Sequence, residues 1–145
     1  MATVTFYEKP GCINNTKQKA LLRAAGHGVE AHNLLTEPWT PERLRRFFGD
    51  CPVAEWFNVT APAIKSGQVQ PRQLDAETAL SLMQQDPLLI RRPLIQVGDR
   101  YEVGFDIPTI DRWIGLQAAN PTQQSTRDHL MHQDLQTCPN TSVAQ

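Results

Sequence analysis

The residues best placed to do chemistry lie near the N-terminus, in Tyr7-Glu8-Lys9-Pro10-Gly11-Cys12-Ile13-Asn14-Asn15-Thr16. The pattern around them sets Cys12 after a strand and at the mouth of a helix. There the unpaired amides and the positive end of the helix dipole converge. Both favour thiolate over thiol, and thiolate is the nucleophile. The amides of Ile13, Asn14 and Asn15 can also hold an anion next to the sulfur. A cysteine that merely fills space is the competing reading, since buried cysteines are often inert. A second constellation is Arg91-Arg92-Pro93 at the entry to Leu94-Ile95-Gln96-Val97. A proline there can be cis and hold a loop against a neighbouring site. The planar fork of Arg92 suits an oxyanion, whereas Arg91 reads as solvated.

These residues need elements to carry them. Thr3 to Tyr7 is a short β run with Val4 and Phe6 on one face. Asn14 to Ala25 reads as a helix with Ile13, Ala20, Leu21 and Ala24 on one stripe and Gly26 as its stop. His27 to Leu34 alternates as a second strand, which completes a βαβ unit with a parallel pair. The middle is helical. Thr40 caps a helix with Pro41 at its first position and Leu44, Phe47 and Phe48 inward. Pro52 to Phe57 reads as a short helical turn, and Asp75 caps a third helix through Ala76, Ala79, Leu80 and Met83. Leu94 to Val97 and Arg100 to Phe105 flank a tight Gly98-Asp99 turn. A last helix is expected from about Pro108 to Leu116. The order βαβ, helical insert, ββα predicts a small mixed sheet with helices packed on it.

Composition bounds the function. The 145 residues fit one domain, expected over 1–116. Residues 117–145 hold no aromatic side chain and many Gln, Asn, Ser and Thr, so they read as a disordered tail. Lys and Arg total 14 against 15 Asp and Glu. That balance argues against a nucleic acid binder or an anionic membrane surface. No apolar run approaches the roughly 18 residues of a membrane span. The first residues resemble no secretion signal, so a cytoplasmic, reducing compartment is expected, where a thiol stays free.

Other chemistry-bearing residues read more simply as structural. His129, His132 and Cys138 make a poor zinc site in a polar tail, and no metal is expected. Cys51 reads as a packing residue. Trp39, Trp56 and Trp113 read as core or groove aromatics, and Lys9 and Lys65 as solvated. Asn14-Asn15-Thr16, Asn58-Val59-Thr60 and Asn140-Thr141-Ser142 match glycosylation sequons, which carry no meaning without secretion.

The combination resembles the arsenate reductase-like family, the thioredoxin-fold group that also includes the Spx-type regulators. Phe6-Tyr7 before Pro10-Gly11-Cys12, the helical insert, Pro87 to Pro93 and Val103-Gly104-Phe105 carry that resemblance from Thr3 to Leu116. Glu8 to Cys12 with Asn14-Asn15-Thr16, Phe47-Phe48-Gly49 and Glu55-Trp56-Phe57-Asn58 resemble its nitrogenase-associated branch. The resemblance implies a thioredoxin-like (glutaredoxin-like) fold and a cis peptide at Pro93. It also implies Cys12 as the nucleophile, Arg92 as the anion-binding arginine, and release of the sulfur by glutathione and glutaredoxin with no bound cofactor. A partner in nitrogen fixation is the other expectation, either for a redox enzyme or for a non-catalytic adaptor. Two arginines of the arsenate reductases are replaced here, by Asn58 and within Val103-Gly104. The fourth position of the Spx-type Cys-x-x-Cys is Asn15, so the motif itself holds one thiol.

Overall fold

The structure, a computed structural model, describes residues 2–131. Cys138, His132 and the sequon at 140–142 lie outside the described residues. A four-stranded sheet has the order β2-β1-β3-β4, with β1 Thr3–Glu8, β2 Gly28–Asn33, β3 Leu94–Val97 and β4 Arg100–Val103. β1 pairs parallel with β2, Val4 opposite Val29 and Phe6 opposite Ala31. β3 runs antiparallel to β1, Tyr7 opposite Leu94, and turns into β4 through Gly98 at φ 58°. The parallel pair is joined through α1, Ile13–Ala24, as a parallel connection requires.

Side chains alternate across a strand, and this sheet separates two cores accordingly. On one face Val4, Phe6 and Ile95 pack with Leu21, Leu22, Phe105, Ile110 and Leu116. On the other, Tyr7 and Leu94 pack with Trp39, Leu44, Phe47, Trp56, Leu80 and Met83. The second core belongs to the insert between β2 and β3. It contains α2 Pro41–Phe48, a 3-10 turn Val53–Trp56, α3 Pro62–Lys65 and α4 Ala76–Gln85. Its starts are where the sequence marks them. Thr40 Oγ1 accepts from the Arg43 amide at 3.2 Å, and Asp75 Oδ1 accepts from the Thr78 amide at 2.8 Å. Phe48 and Trp56 stack with ring centroids 4.6 Å apart. Trp56 donates its Nε1–H to the Cys51 carbonyl at 2.7 Å, and Trp39 donates to Leu34 at 2.8 Å, so both indoles are core groups with satisfied donors.

Three expectations need correction. Ile13 is half exposed, and the buried stripe of α1 keeps Leu21 and Ala24 but is completed by Asn14, Asn15, Gln18 and Leu22. β4 stops at Val103 because Gly104 leaves the strand at φ 80°, so Phe105 is not a strand residue. The following helix, α5, is Ile107–Ile114, started by Asp106, whose Oδ2 accepts from the Thr109 amide at 3.2 Å.

The largest correction concerns the polar C-terminal part, read as disordered from 117 onward. Within it Pro121–Met131 forms a helix, α6. Asn120 accepts from the Gln123 amide at 3.1 Å, and Pro121 takes the first helical position. Ala119 donates to the Ala24 carbonyl and Arg127 Nε to the Leu116 carbonyl, each at 2.8 Å. Leu130 is buried against the core under α1. Leu130, with Met131 beside it, and two hydrogen bonds dock this helix, a pattern too sparse for composition to register.

Candidate active site around Cys12

The site is built where β1 stops. After Glu8 the chain turns through Pro10 and Gly11, the glycine at φ 85°, a conformation that other residues rarely adopt. The turn closes with the Cys12 amide donating to the Lys9 carbonyl at 3.1 Å. Cys12 itself is extended (φ −72°, ψ 121°) and immediately precedes α1. Its carbonyl accepts the first helical bond from the Thr16 amide at 3.1 Å. Ile13, Asn14 and Asn15 therefore form the first turn, whose amides have no acceptor within the helix. No acidic residue stands in that turn to compete with an anion.

Cys12 is buried, with 6 % of its surface exposed, and its sulfur is in a disulfide. Cys51 is a free thiol. It lies against the insert core, as expected of a packing residue, and burial followed by the nearby Glu55 pushes its pKa up.

Asn15 has the most defined role around the loop. It is fully buried, its Oδ1 accepts from the Lys9 amide at 3.1 Å, and its Nδ2 donates to Gln18 Oε1 at 2.9 Å. The side chain in the place of a second cysteine thus clamps the loop that presents the first. Lys19 and Glu8 add an ion pair of 2.9 Å that ties the end of β1 to α1. Gln18 escaped the sequence reading. Its signal was present, since 14, 15 and 18 continue the spacing of Leu21 and Leu22 with polar side chains.

Arg92 and Pro93 approach from β3. The antiparallel register ends with Tyr7 opposite Leu94, so Arg92 and Pro93 enter β3 at the same end of the sheet at which β1 leads on to Cys12. The Arg92–Pro93 peptide is cis, and the Pro93 carbonyl accepts from the Gly104 amide at 2.8 Å. Arg92 is buried, and desolvation lowers its pKa. A guanidinium keeps its proton even so. Its position thus brings a buried cation to the sheet end that carries Cys12.

The neighbouring Arg91 was expected to be solvated and is instead engaged. Its amide donates to the Trp56 carbonyl at 2.9 Å and its Nη1 to the Glu55 carbonyl at 3.3 Å. Its guanidinium covers Gly104, where a Cβ would meet Cζ, Nε and Nη2 at 3.0 Å. Asn58 is likewise committed. Its Nδ2 donates to the Leu88 carbonyl at 3.3 Å, and its Oδ1 accepts from the Thr60 amide at 3.2 Å. Neither Asn58 nor Gly104 offers a charged donor to a substrate. Among the described residues no group of His, Cys, Asp and Glu could hold a metal ion. None of their helices is long and apolar enough to cross a membrane.

A cysteine at a βα junction beside a cis-proline segment, on a four-stranded mixed sheet, defines a thioredoxin-like α/β protein. The comparisons narrow the class: residues 7–112 match the ArsC family, and the chain belongs to it. It is 52 % identical over 139 residues to an uncharacterized 15.7 kDa protein in the draG 3′ region of Rhodospirillum rubrum, covering 96 % of this chain and 90 % of that one. It is 26 % identical to the global transcriptional regulator Spx of Lactiplantibacillus plantarum, over 77 % of this chain and 86 % of the regulator. In fold it is similar to an arsenate reductase from Vibrio cholerae, with TM-score 0.63 and 20 % identity over 80 % of this chain and 98 % of that one. An arsenate reductase (ArsC) related protein from Brucella melitensis matches with TM-score 0.58 and 23 % identity, covering 79 % and 96 %.

Proposed function

We propose that this chain is a thiol redox protein of arsenate reductase type, acting through Cys12 in the cytoplasm. The observation that carries the reading is the placement of Cys12 at the N-terminal end of α1, across the sheet end from the buried Arg92. In this reading Cys12 attacks as thiolate, and the amides of Ile13, Asn14 and Asn15 cradle an oxyanion or a leaving thiolate. Arg92 supplies the fixed positive charge, and the segment at Pro93 holds it there. Glutathione is the co-substrate, with a glutaredoxin as the protein reductant, and no cofactor is bound.

A second reading has its own observation. Asn58 and the pair Val103-Gly104 stand where the resemblance puts two arginines of arsenate reductases, and Asn58 and Gly104 are both built into the backbone framework. One lost oxyanion donor can cost ~3 kcal/mol, about 100-fold in rate. This favours either disulfide exchange over reduction of a highly charged oxyanion, or a non-catalytic adaptor for a nitrogen-fixation protein.

The pH dependence of alkylation on the reduced protein, read separately for each cysteine by mass spectrometry, separates the readings. The redox reading expects a Cys12 midpoint well below the ordinary thiol value of about 8.5. Cys51 serves as the internal contrast. Its raised pKa keeps it protonated and slow at neutral pH, so its alkylation should climb only in the alkaline range. A Cys12 midpoint at or above the ordinary value would reject the redox reading in favour of the adaptor. With a low midpoint, arsenate- and glutathione-dependent turnover that is lost in Cys12→Ser identifies the oxyanion reaction.

A further inference from the structure

Arg91 stands next to Arg92, yet the reading of the site gives it no task. Its hydrogen bonds run to backbone. The amide donates to the Trp56 carbonyl at 2.9 Å, and Nη1 donates to the Glu55 carbonyl at 3.3 Å. Both acceptors belong to the 3-10 turn Val53–Trp56 of the insert. A Cβ built on Gly104 would stand 3.0 Å from Cζ, Nε and Nη2 alike, so the flat of the guanidinium faces that glycine. Gly104 in turn holds the far side of Arg92, because its amide donates to the Pro93 carbonyl at 2.8 Å.

These contacts close a circuit. The chain passes from Arg91 through Arg92 to Pro93, the Pro93 carbonyl is bonded to Gly104, and Gly104 meets the Arg91 guanidinium. Arg92 lies inside that circuit, with its backbone held before and after. The bonds of Arg91 tie the circuit to the insert, and the pairing of Leu94 with Tyr7 ties it to β1, which leads on to Cys12. The direction in which the Arg92 side chain leaves the backbone therefore depends on where Arg91 sits.

Side-chain type matters at both ends of the clamp. A guanidinium is planar and carries its donors in a fixed fork, so it can reach Glu55 with one nitrogen and lay its face on Gly104. An ammonium on a flexible stem keeps the charge but loses the face. Gly104 combines φ 80° with bare backbone under that face. Alanine there would be strained by the backbone angle and would crowd the guanidinium.

We propose that Arg91 is a positioning residue, which fixes Arg92 relative to Cys12 by clamping Gly104 against the insert. It thereby sets how strongly Arg92 stabilises the Cys12 thiolate. The proposal rests on the reading of Cys12 as a redox nucleophile with Arg92 as its fixed charge. Arg91 acts by geometry and through Arg92, not by its own charge.

The test measures the pH dependence of Cys12 alkylation in the reduced full-length chain, resolved by peptide mass. Arg91→Lys and Gly104→Ala both leave the net charge unchanged. Each should raise the Cys12 midpoint by about half a unit or more, as expected when a cation is moved away from a thiolate. Arg92→Gln should raise it at least as far, and adding Arg91→Lys to Arg92→Gln should produce no further shift. Asp75→Ala, which removes the remote cap of α4, is the destabilised control and should keep the wild-type midpoint. If Gly104→Ala does not fold, Arg91→Lys carries the test alone. An unchanged midpoint in Arg91→Lys overturns the proposal, as does an equal shift with and without Arg92→Gln, or no shift in Arg92→Gln itself. A rise in Asp75→Ala equal to that in Arg91→Lys also overturns it, because general loosening then accounts for both. In each of those cases a low wild-type midpoint leaves Cys12 a redox thiol. A wild-type midpoint at or above the ordinary value of about 8.5 removes both readings together.

Discussion

At the scale of single residues, Asn15 illustrates how a lost functional group acquires a structural task. Its carboxamide accepts from the backbone that precedes Cys12 and donates to Gln18, all within a buried environment. A buried donor left without an acceptor costs about 1–3 kcal/mol. Asn15→Ala should therefore lower unfolding stability by about that amount in urea titration. It should also slow alkylation of reduced Cys12 at neutral pH, because the Lys9–Cys12 turn is no longer held. A purely structural role would change the first measurement alone. The sequence made the side chain of Asn15 visible only as the absence of a cysteine. Its bonding partners come from six residues before it and three after it, a contact set that no single periodicity announces.

At the scale of elements, the clearest signals in the sequence were those with local physics behind them. The capped starts at Thr40 and Asp75, the alternation of β1 and the turn at Gly98 each depend on a few adjacent residues. Cys12 at the helix entry was legible for the same reason, since strand, turn glycine and helix follow in unbroken order. What escaped was docking over distance. Arg91 looked solvated because nothing near it in the chain reveals Glu55 or Gly104. α6 looked disordered because its stability comes from α1 and not from its own apolar content. That dependence can be measured. Leu130→Ala should cost about 2–3 kcal/mol, near the lower end for a buried leucine at the edge of a core. Hydrogen-exchange protection over 121–131 should fall well before that of α1. Equal protection in both helices after the substitution would mean that α6 is held by its hydrogen bonds alone.

At the scale of the whole molecule, one sheet serves two separate cores. The face under α1, α5 and α6 supports the cysteine, and the face under α2 to α4 carries the insert. The segment from Ile90 to Pro93 joins them. It bridges to Phe57, bonds to Trp56 through Arg91 and reaches Gly104 through Pro93. A change in how the insert packs can therefore displace Arg92 relative to Cys12 without touching either residue. The near balance of 14 basic and 15 acidic side chains leaves little long-range field.

The sheet also has an outer strand with a consequence of its own. β2 stands at the margin of the order β2-β1-β3-β4, with Glu30, Ala31 and His32 exposed. A marginal strand presents unpaired backbone groups that can recruit a like strand from another molecule, and charged side chains are a common safeguard. Glu30 stands between Val29 and Ala31, so it interrupts what would otherwise be an apolar run. Glu30→Val should leave the thiol chemistry of the reduced protein intact while driving concentration-dependent association, seen by light scattering against wild type. In that light a single carboxylate, remote from the chemistry, keeps the sheet from becoming a template for its own aggregation.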